Sequence, residues 1–364
     1  MSFNVPWAPD YGGVIDVYYR LKALKEAGVS TTLHCFQYGR KEATELSQVC
    51  DHVHYYQRIT GWRGLSITKP YIVSSRRSRP LLRNLLSDDA PILFEGVHCC
   101  HYLDHPSLRD RFKAVRLHNV EWEYYAQLAS AEKRFLKRLY LQTASRRLKR
   151  FERILTNAEL LLPISPGDTT YYSQTHNNVH YLPAFHSNSE VTSKPGKGDF
   201  VLYHGNLSVN ENHEAAMFVL KHVFTGERFR AVIAGKEPHP SLLREAQQRP
   251  NVIVAANPST SQMRELICDA QVHILPTFQS TGMKLKLLNT LFAGRWVVTN
   301  SAMVEGTGLE SLCLVAKDAT AMKSDIIRCL GSDFSMDEVN QRIKLLGLFD
   351  SSYNAAQLVK LLPA

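Results

Sequence analysis

A chain of 364 residues with 44% apolar and 21% charged residues has globular composition and is long enough for two α/β domains. No apolar run reaches the ~18–20 residues of a membrane span, and the start, MSFNVPWAPDYGG, lacks the basic and apolar segments of a signal peptide. The seven cysteines are scattered, odd in number and without a CxxC pair, as expected of reduced thiols in a cytoplasmic protein.

The net charge of +9 is unevenly placed. Residues 1–185 hold 25 Lys/Arg against 17 Asp/Glu, and residues 186–364 hold 18 against 17. Only the first half therefore suits an anionic partner. Nucleic acid is not expected, because no zinc finger, RNP aromatic motif or KH loop is present. An anionic membrane surface or a lipid-phosphate acceptor fits this charge, peripheral to the inner face of the membrane.

In chain order, a short strand at Phe3–Val5 leads through a Pro/Gly loop into a helix over Val14–Ala27. Gly12 and Gly13 stand at that hand-over, where a backbone can approach a ligand closely. Strands are predicted at Thr31–Phe36, His52–Tyr56, Pro91–Phe94 and Ala114–Leu117, with a helix over Arg79–Leu86; the alternation reads as a doubly wound parallel sheet. The Arg58–Arg79 stretch is Gly-, Ser- and Arg-rich with Trp62 and Tyr71 interleaved: a solvated basic loop in the plain reading, a binding loop in the sharper one. His118 follows a strand's carboxyl end, where such sheets bind ligands, so it is either a substrate contact or a buried histidine capping the next helix. Glu121–Leu155 reads as helical and densely basic, either as a solvated face or as a surface resting on anionic lipid.

A strand at Leu161–Ser165 and a helix with Asp168 in its first turn come next, and Tyr181–Pro183 closes a first domain over residues 1–185. Residues 184–199 have linker composition. A second domain, residues 199–340, begins with a strand at Phe200–Tyr203, a loop containing Gly205 and Asn206, and a helix over Glu214–Phe224. Strands at Ala231–Ile233, Val252–Ala255 and Val272–Leu275 end at Lys236, Asn257 and Thr277, all on one rim. Met336–Leu362 is predicted helical, and residues 341–364 end the second domain or cross back to the first.

On the same rim lies QSTGMKLKLLNTLFAGRWVVTN, residues 279–300. A turn at Gly282 and Met283 carries Lys284 and Lys286 into an amphipathic helix, which Gly294 closes before the strand Trp296–Thr299. A helix N-terminus flanked by lysines holds a phosphate or diphosphate; the alternative is an ordinary loop–helix–strand unit with solvated lysines. Metal binding at His98-Cys99-Cys100-His101 is not expected, because adjacent cysteines on a strand point to opposite faces. No D-x-D, GxSxG or GxxxxGK[ST] occurs, so no metal or other cofactor is anticipated.

These residues resemble the GT-B glycosyltransferases, and within them the retaining family 4 enzymes. Their signature, close to G-x-K-x-K-x-x-E-A-x-A-x-G-x-x-V-V-x-T, is met here by Gly282, Lys284, Lys286, Gly294, Val297, Val298 and Thr299. PDYGGVIDVYY, LHNVEWEYYAQLA and LYHGNLSVNEN are similar to a bacterial subgroup that builds polysaccharides. The resemblance implies two Rossmann-like domains facing a cleft and a metal-independent transfer from a nucleotide-sugar donor to a saccharide or lipid-linked acceptor. It implies diphosphate contacts from Lys284, Lys286 and Lys236, a donor-sugar contact from His118, and an acceptor flanked by Gly12-Gly13. The base would be seated near Ala256–Ser259, including Asn257. The family's two glutamates fall at Thr281 and Asn289, and its diphosphate-binding Arg and Lys are replaced around Asn206, Glu211 and Asn212. Those departures leave open a catalytically weak binding or assembly subunit; a sugar-nucleotide epimerase is the third reading.

Overall fold

The computed structural model describes residues 1–226, 229–278 and 284–363. Two compact units emerge: Met1–Ser187 with Leu348–Ala364, and Asn188–Ser280 with Lys284–Gly347.

In the first unit, β1 (Thr32–Gln37) pairs in parallel with β2 (His52–Gln57), and β3 (Ile92–Glu95), β4 (Lys113–Leu117) and β5 (Leu160–Pro163) form a parallel trio. The first residues stitch the two groups together. The Ser2 N–H donates to His34 O at 2.7 Å, and the Glu95 N–H donates to Met1 O at 3.0 Å. The resulting order is β2-β1-(Met1–Ser2)-β3-β4-β5. The ladder contacts thus fall at Met1 and Ser2, not at the expected Phe3–Val5. Asn4 Oδ1 accepts the Val5 N–H at 2.9 Å and turns the chain away before Pro6.

The helix Gly12–Glu26 lays Val14, Val17, Leu21 and Leu24 into the core. Gly13 has a steric reason to be glycine, since a Cβ there would come within 2.5 Å of the Phe3 ring. The continuous helix expected over Glu121–Leu155 is two, Glu121–Ala131 and Phe135–Phe151. Glu132 makes the break: its backbone is extended, and its carboxylate accepts from Arg134 N–H at 3.0 Å and from Lys137 Nζ at 2.6 Å. Met336–Leu362 is likewise divided at Gly347: Met336–Leu346 belongs to the second unit, and Ser351–Leu361 packs on Gly12–Glu26 in the first.

The second unit is one parallel sheet of β6 (Phe200–His204), β7 (Arg230–Gly235), β8 (Val252–Ala256), β9 (Val272–Ile274), β10 (Trp296–Thr299) and β11 (Leu314–Val315). Its order is β11-β10-β9-β6-β7-β8. The four inner strands β6, β7, β9 and β10 are rich in buried Val, Ile, Leu or Ala, as a sheet covered on both faces requires, while the edge strands β8 and β11 are only partly buried. The chain winds outward from β6 to β8, returns, and winds out again from β9 to β11. The reversal lies between β6 and β9, and the two units repeat the same doubly wound order. In such sheets the crevice for ligands opens where the winding reverses, beyond the strands' carboxyl ends.

Candidate functional site

In the second unit the reversal point is built from the loop after β6, the residues after β9 and the helix Leu285–Ala293. A Cβ on Gly235 would lie 1.9 Å from Gly205 O, so glycine lets the loops after β6 and β7 touch. Asn212 then braces the β6 loop: its Nδ2 donates to Asn206 O at 3.0 Å, and its backbone carbonyl accepts the Tyr203 hydroxyl at 2.8 Å. Asn206 turns back on its own loop, taking Ser208 Oγ at 2.7 Å.

Against this brace stands Lys286. Its Nζ donates to Asn212 Oδ1 at 2.9 Å and lies 5.6 Å from the Tyr203 ring centre. Burial pushes the amine down to about 8, with the Glu211 carboxylate opposing and Lys284 adding to the shift. Lys284, lowered by burial against the pull of Glu211, precedes the helix without providing a side-chain cap. Glu211 accepts the Thr277 hydroxyl, tying the β6 loop to the segment after β9. The arrangement gathers two cations, a carboxylate and a helix N-terminus at one rim. Cations and N–H groups so placed attract phosphate oxygens.

The other sequence candidates are placed as follows. Asn289 Oδ1 accepts from Asn188 Nδ2 at 2.9 Å, so that side chain is held within its own unit. Lys236 and Asn257 are exposed at the ends of β7 and β8, and Asn257 takes a left-handed φ of 53° while accepting the Glu237 N–H at 2.8 Å. Thr281, Gly282 and Met283 lie outside the described residues.

The reversal point of the first unit has a different character. Gly12 and Gly13 form the first turn of their helix, and Phe3, packed against Gly13, stands edge-on to the His118 ring at 6.0 Å. His118 Nε2 meets Glu95 Oε1 at 2.5 Å. Glu95 pairs with Arg20, which donates to Asp16 at 2.8 Å, and Arg116 Nη2 reaches the other Asp16 oxygen at 2.8 Å. Arg116 also donates to Pro183 O at 2.8 Å, while Phe185 N–H donates to Asp16, so the cluster clamps the closing segment of the unit. Burial alone would raise both carboxyls. Arg116 and Arg20 hold Asp16 well below the usual range, and Arg20 with His118 holds Glu95 down.

Asp16, Glu95 and His118 offer ligand atoms within 4.8 Å of one another. A divalent cation does not fit there, because two guanidiniums already occupy the carboxylates and would repel it. The expectation of no metal at residues 98–101 had assumed a strand; these residues form the 3-10 turn Val97–Tyr102, in which burial raises both thiols.

Farther along the rim, burial pushes Glu121 up to about 7 and Asp168 up to about 6. Sequence reasoning missed Asp16, Arg20, Glu95 and Arg116. A signal was present: Asp16 and Arg20 stand four apart on a helix face that otherwise reads apolar, and Arg116 interrupts a wholly buried strand.

Residues 198–332 match the family model described as glycosyl transferases group 1. The chain is 24% identical to an uncharacterised 44.6 kDa protein of the cps region of Klebsiella pneumoniae, over 93% of this chain and 92% of that one. Among solved structures it is similar to the UDP-forming α,α-trehalose-phosphate synthase of Burkholderia xenovorans, with 12% identity and a TM-score of 0.61, covering 99% and 97% of the two chains. It is also similar to Anabaena HepE in complex with UDP and glucose, with 11% identity and a TM-score of 0.59, covering 98% and 94%. The chain has the GT-B glycosyltransferase fold, with two Rossmann-like domains, that its sequence resemblance implied.

Proposed function

We propose that this protein is a retaining glycosyltransferase of surface-polysaccharide synthesis, taking a sugar from a nucleotide-sugar donor to a saccharide or lipid-linked acceptor. The observation that carries the reading is Lys286, a buried cation held on an amide oxygen at the reversal point of the second unit's sheet. The match of that unit to group 1 glycosyl transferases supports it, as does the relative from a cps region. UDP, present in the Anabaena HepE complex, is the first donor nucleotide to try.

The donor's diphosphate meets Lys286, Lys284 and the N-terminus of the Leu285–Ala293 helix. Charge that gathers on the departing diphosphate is met there by cations already in place, usually the largest catalytic term. Asn257 and its neighbours at the end of β8 offer the seat for the base. In the first unit, Gly12-Gly13 and the His118 ring present the sugar-facing groups, with His118 oriented by Glu95. No step needs a metal, since lysines supply the charge.

The test is titration with UDP-, GDP- and dTDP-sugars, followed by donor hydrolysis. Binding that Lys286→Ala abolishes supports the reading. Failure to bind any of these sugars sinks it and leaves the weak binding or assembly subunit, which the replacement of the family's glutamates and cations favours.

A further inference from the structure

The first unit carries a surface that sugar transfer does not account for. Residues 52–87 contain seven Lys/Arg and no Asp/Glu, and residues 133–151 contain eight Lys/Arg and no Asp/Glu. The fold brings the two stretches together. Arg147, on the helix Phe135–Phe151, donates to the carbonyls of Ser66, Ile67 and Lys69 at 2.6, 3.0 and 2.9 Å. Ser74 Oγ donates to Gly64 O at 2.6 Å, and Arg77 donates to Arg63 O at 2.7 Å, pinning the loop from its other side.

The loop is thus held by its backbone while its apolar side chains point outward. Ile67 is 98% exposed and Trp62 78%. On the helix, Leu136 and Tyr140 share a face with Arg147, being eleven and seven residues before it at 3.6 per turn. Leu136 is 78% exposed and Phe135 76%. Arg63 lies 5.5 Å from the Trp62 ring centre, and Arg134 and Arg138 are exposed beside Phe135 and Leu136. Water is a poor neighbour for so many large apolar groups on one anchored surface. A nucleic acid would match the charge but leave the aliphatic side chains unused. A protein partner of acidic surface would need its own apolar patch, whereas a bilayer of anionic lipid supplies both layers, headgroup charge outside and acyl chain beneath.

We propose that the loop 59–70 and the N-terminal half of the Phe135–Phe151 helix form one docking surface for an anionic lipid bilayer, with Trp62, Ile67, Phe135 and Leu136 entering the headgroup–acyl boundary. Arginines and lysines around them take the lipid phosphates, their stems lying along the apolar layer. This surface lies wholly in the first unit and involves none of the proposed donor contacts.

The test is flotation of the full chain with vesicles of phosphatidylcholine alone and of phosphatidylcholine mixed with phosphatidylglycerol. Binding is expected only to the mixed vesicles and is expected to weaken with salt. Arg134→Gln with Arg138→Gln should weaken it about 25-fold, at about fivefold per cation. Trp62→Ser with Leu136→Ser should weaken it at every salt concentration, and Lys221→Gln with Lys344→Gln in the second unit should leave it unchanged. UDP binding in parallel reports folding of each variant, and its failure in the wild-type chain would count against the donor reading alone. Equal binding to both vesicle types, no binding to either, or indifference to both first-unit variants overturns the proposal. So does a concentration-dependent dimer that Leu136→Ser dissolves, which would give the surface to a second copy.

Discussion

The two sheet-reversal points of this protein hold buried charge in opposite ways. In the first unit, Arg20 and Arg116 neutralise Asp16 and Glu95, and the two arginines take up both carboxylates. In the second, Lys286 keeps its charge on a neutral amide and an aromatic face while burial lowers its amine. A self-neutralised cluster is structural machinery, since any ligand must first break an ion pair. A buried cation on an amide, its burial only partly offset by the Glu211 carboxylate, is relieved by an incoming anion.

The contrast breaks most sharply in stability. Asp16→Ala leaves Arg116 and Arg20 buried against Glu95 alone, and the expected loss is about 3–5 kcal/mol in denaturant unfolding. Asp16→Leu combined with Arg116→Met should cost less than either single change, because it removes both partners; a fully additive cost would show that the cluster is not held by mutual charge. Lys286→Ala should do the reverse. Its amine is depressed below the ordinary lysine value, so the fold bears a cost for the charge below pH ~8 that fades as pH rises toward the unfolded value. Stability is expected to hold or rise, while transfer falls by about two to three decades. A fall in melting temperature instead would make Lys286 a structural residue.

Two pH profiles sharpen the comparison further. Glu121 is raised to about 7, so between its ordinary pKa and 7 the folded state binds more protons than the unfolded one. Stability should therefore decline as pH rises through that window, by on the order of 1–3 kcal/mol, and Glu121→Gln should flatten the slope. An unchanged slope in that variant would move the effect to Asp168. In the second unit, UDP affinity should fall as pH rises above about 8, approaching tenfold per unit as Lys286 loses its proton. Affinity that stays flat to pH 10 would show that the diphosphate does not rely on this amine.

Much of the fold was legible in the chain itself. Alternating apolar runs and Gly/Pro/Asn punctuation located β1 through β10, because strand burial and turn chemistry are local demands on sequence. The two-residue β11 carries too little pattern to see. The Glu121–Leu155 helix was read as continuous because an amphipathic period does not show that Glu132 will turn its carboxylate onto Arg134 N–H. The short first strand was misplaced because its pairing with β1 and β3 depends on His34 and Glu95, which lie 32 and 94 positions along the chain from Ser2 and Met1.

For the site, sequence alone singled out Lys284 and Lys286 by spacing from a glycine turn, and His118 by its place after a strand. It also set the charge asymmetry of the first half. Only the tertiary structure decided that His118 belongs to an ion-pair cluster, that Asn212 is the group on which Lys286 rests, and that two acid-free stretches about seventy residues apart make one surface. Charge and amphipathic period are properties of a segment. Which charges neutralise each other, and which stay buried without doing so, depends on contacts between segments that no local pattern encodes.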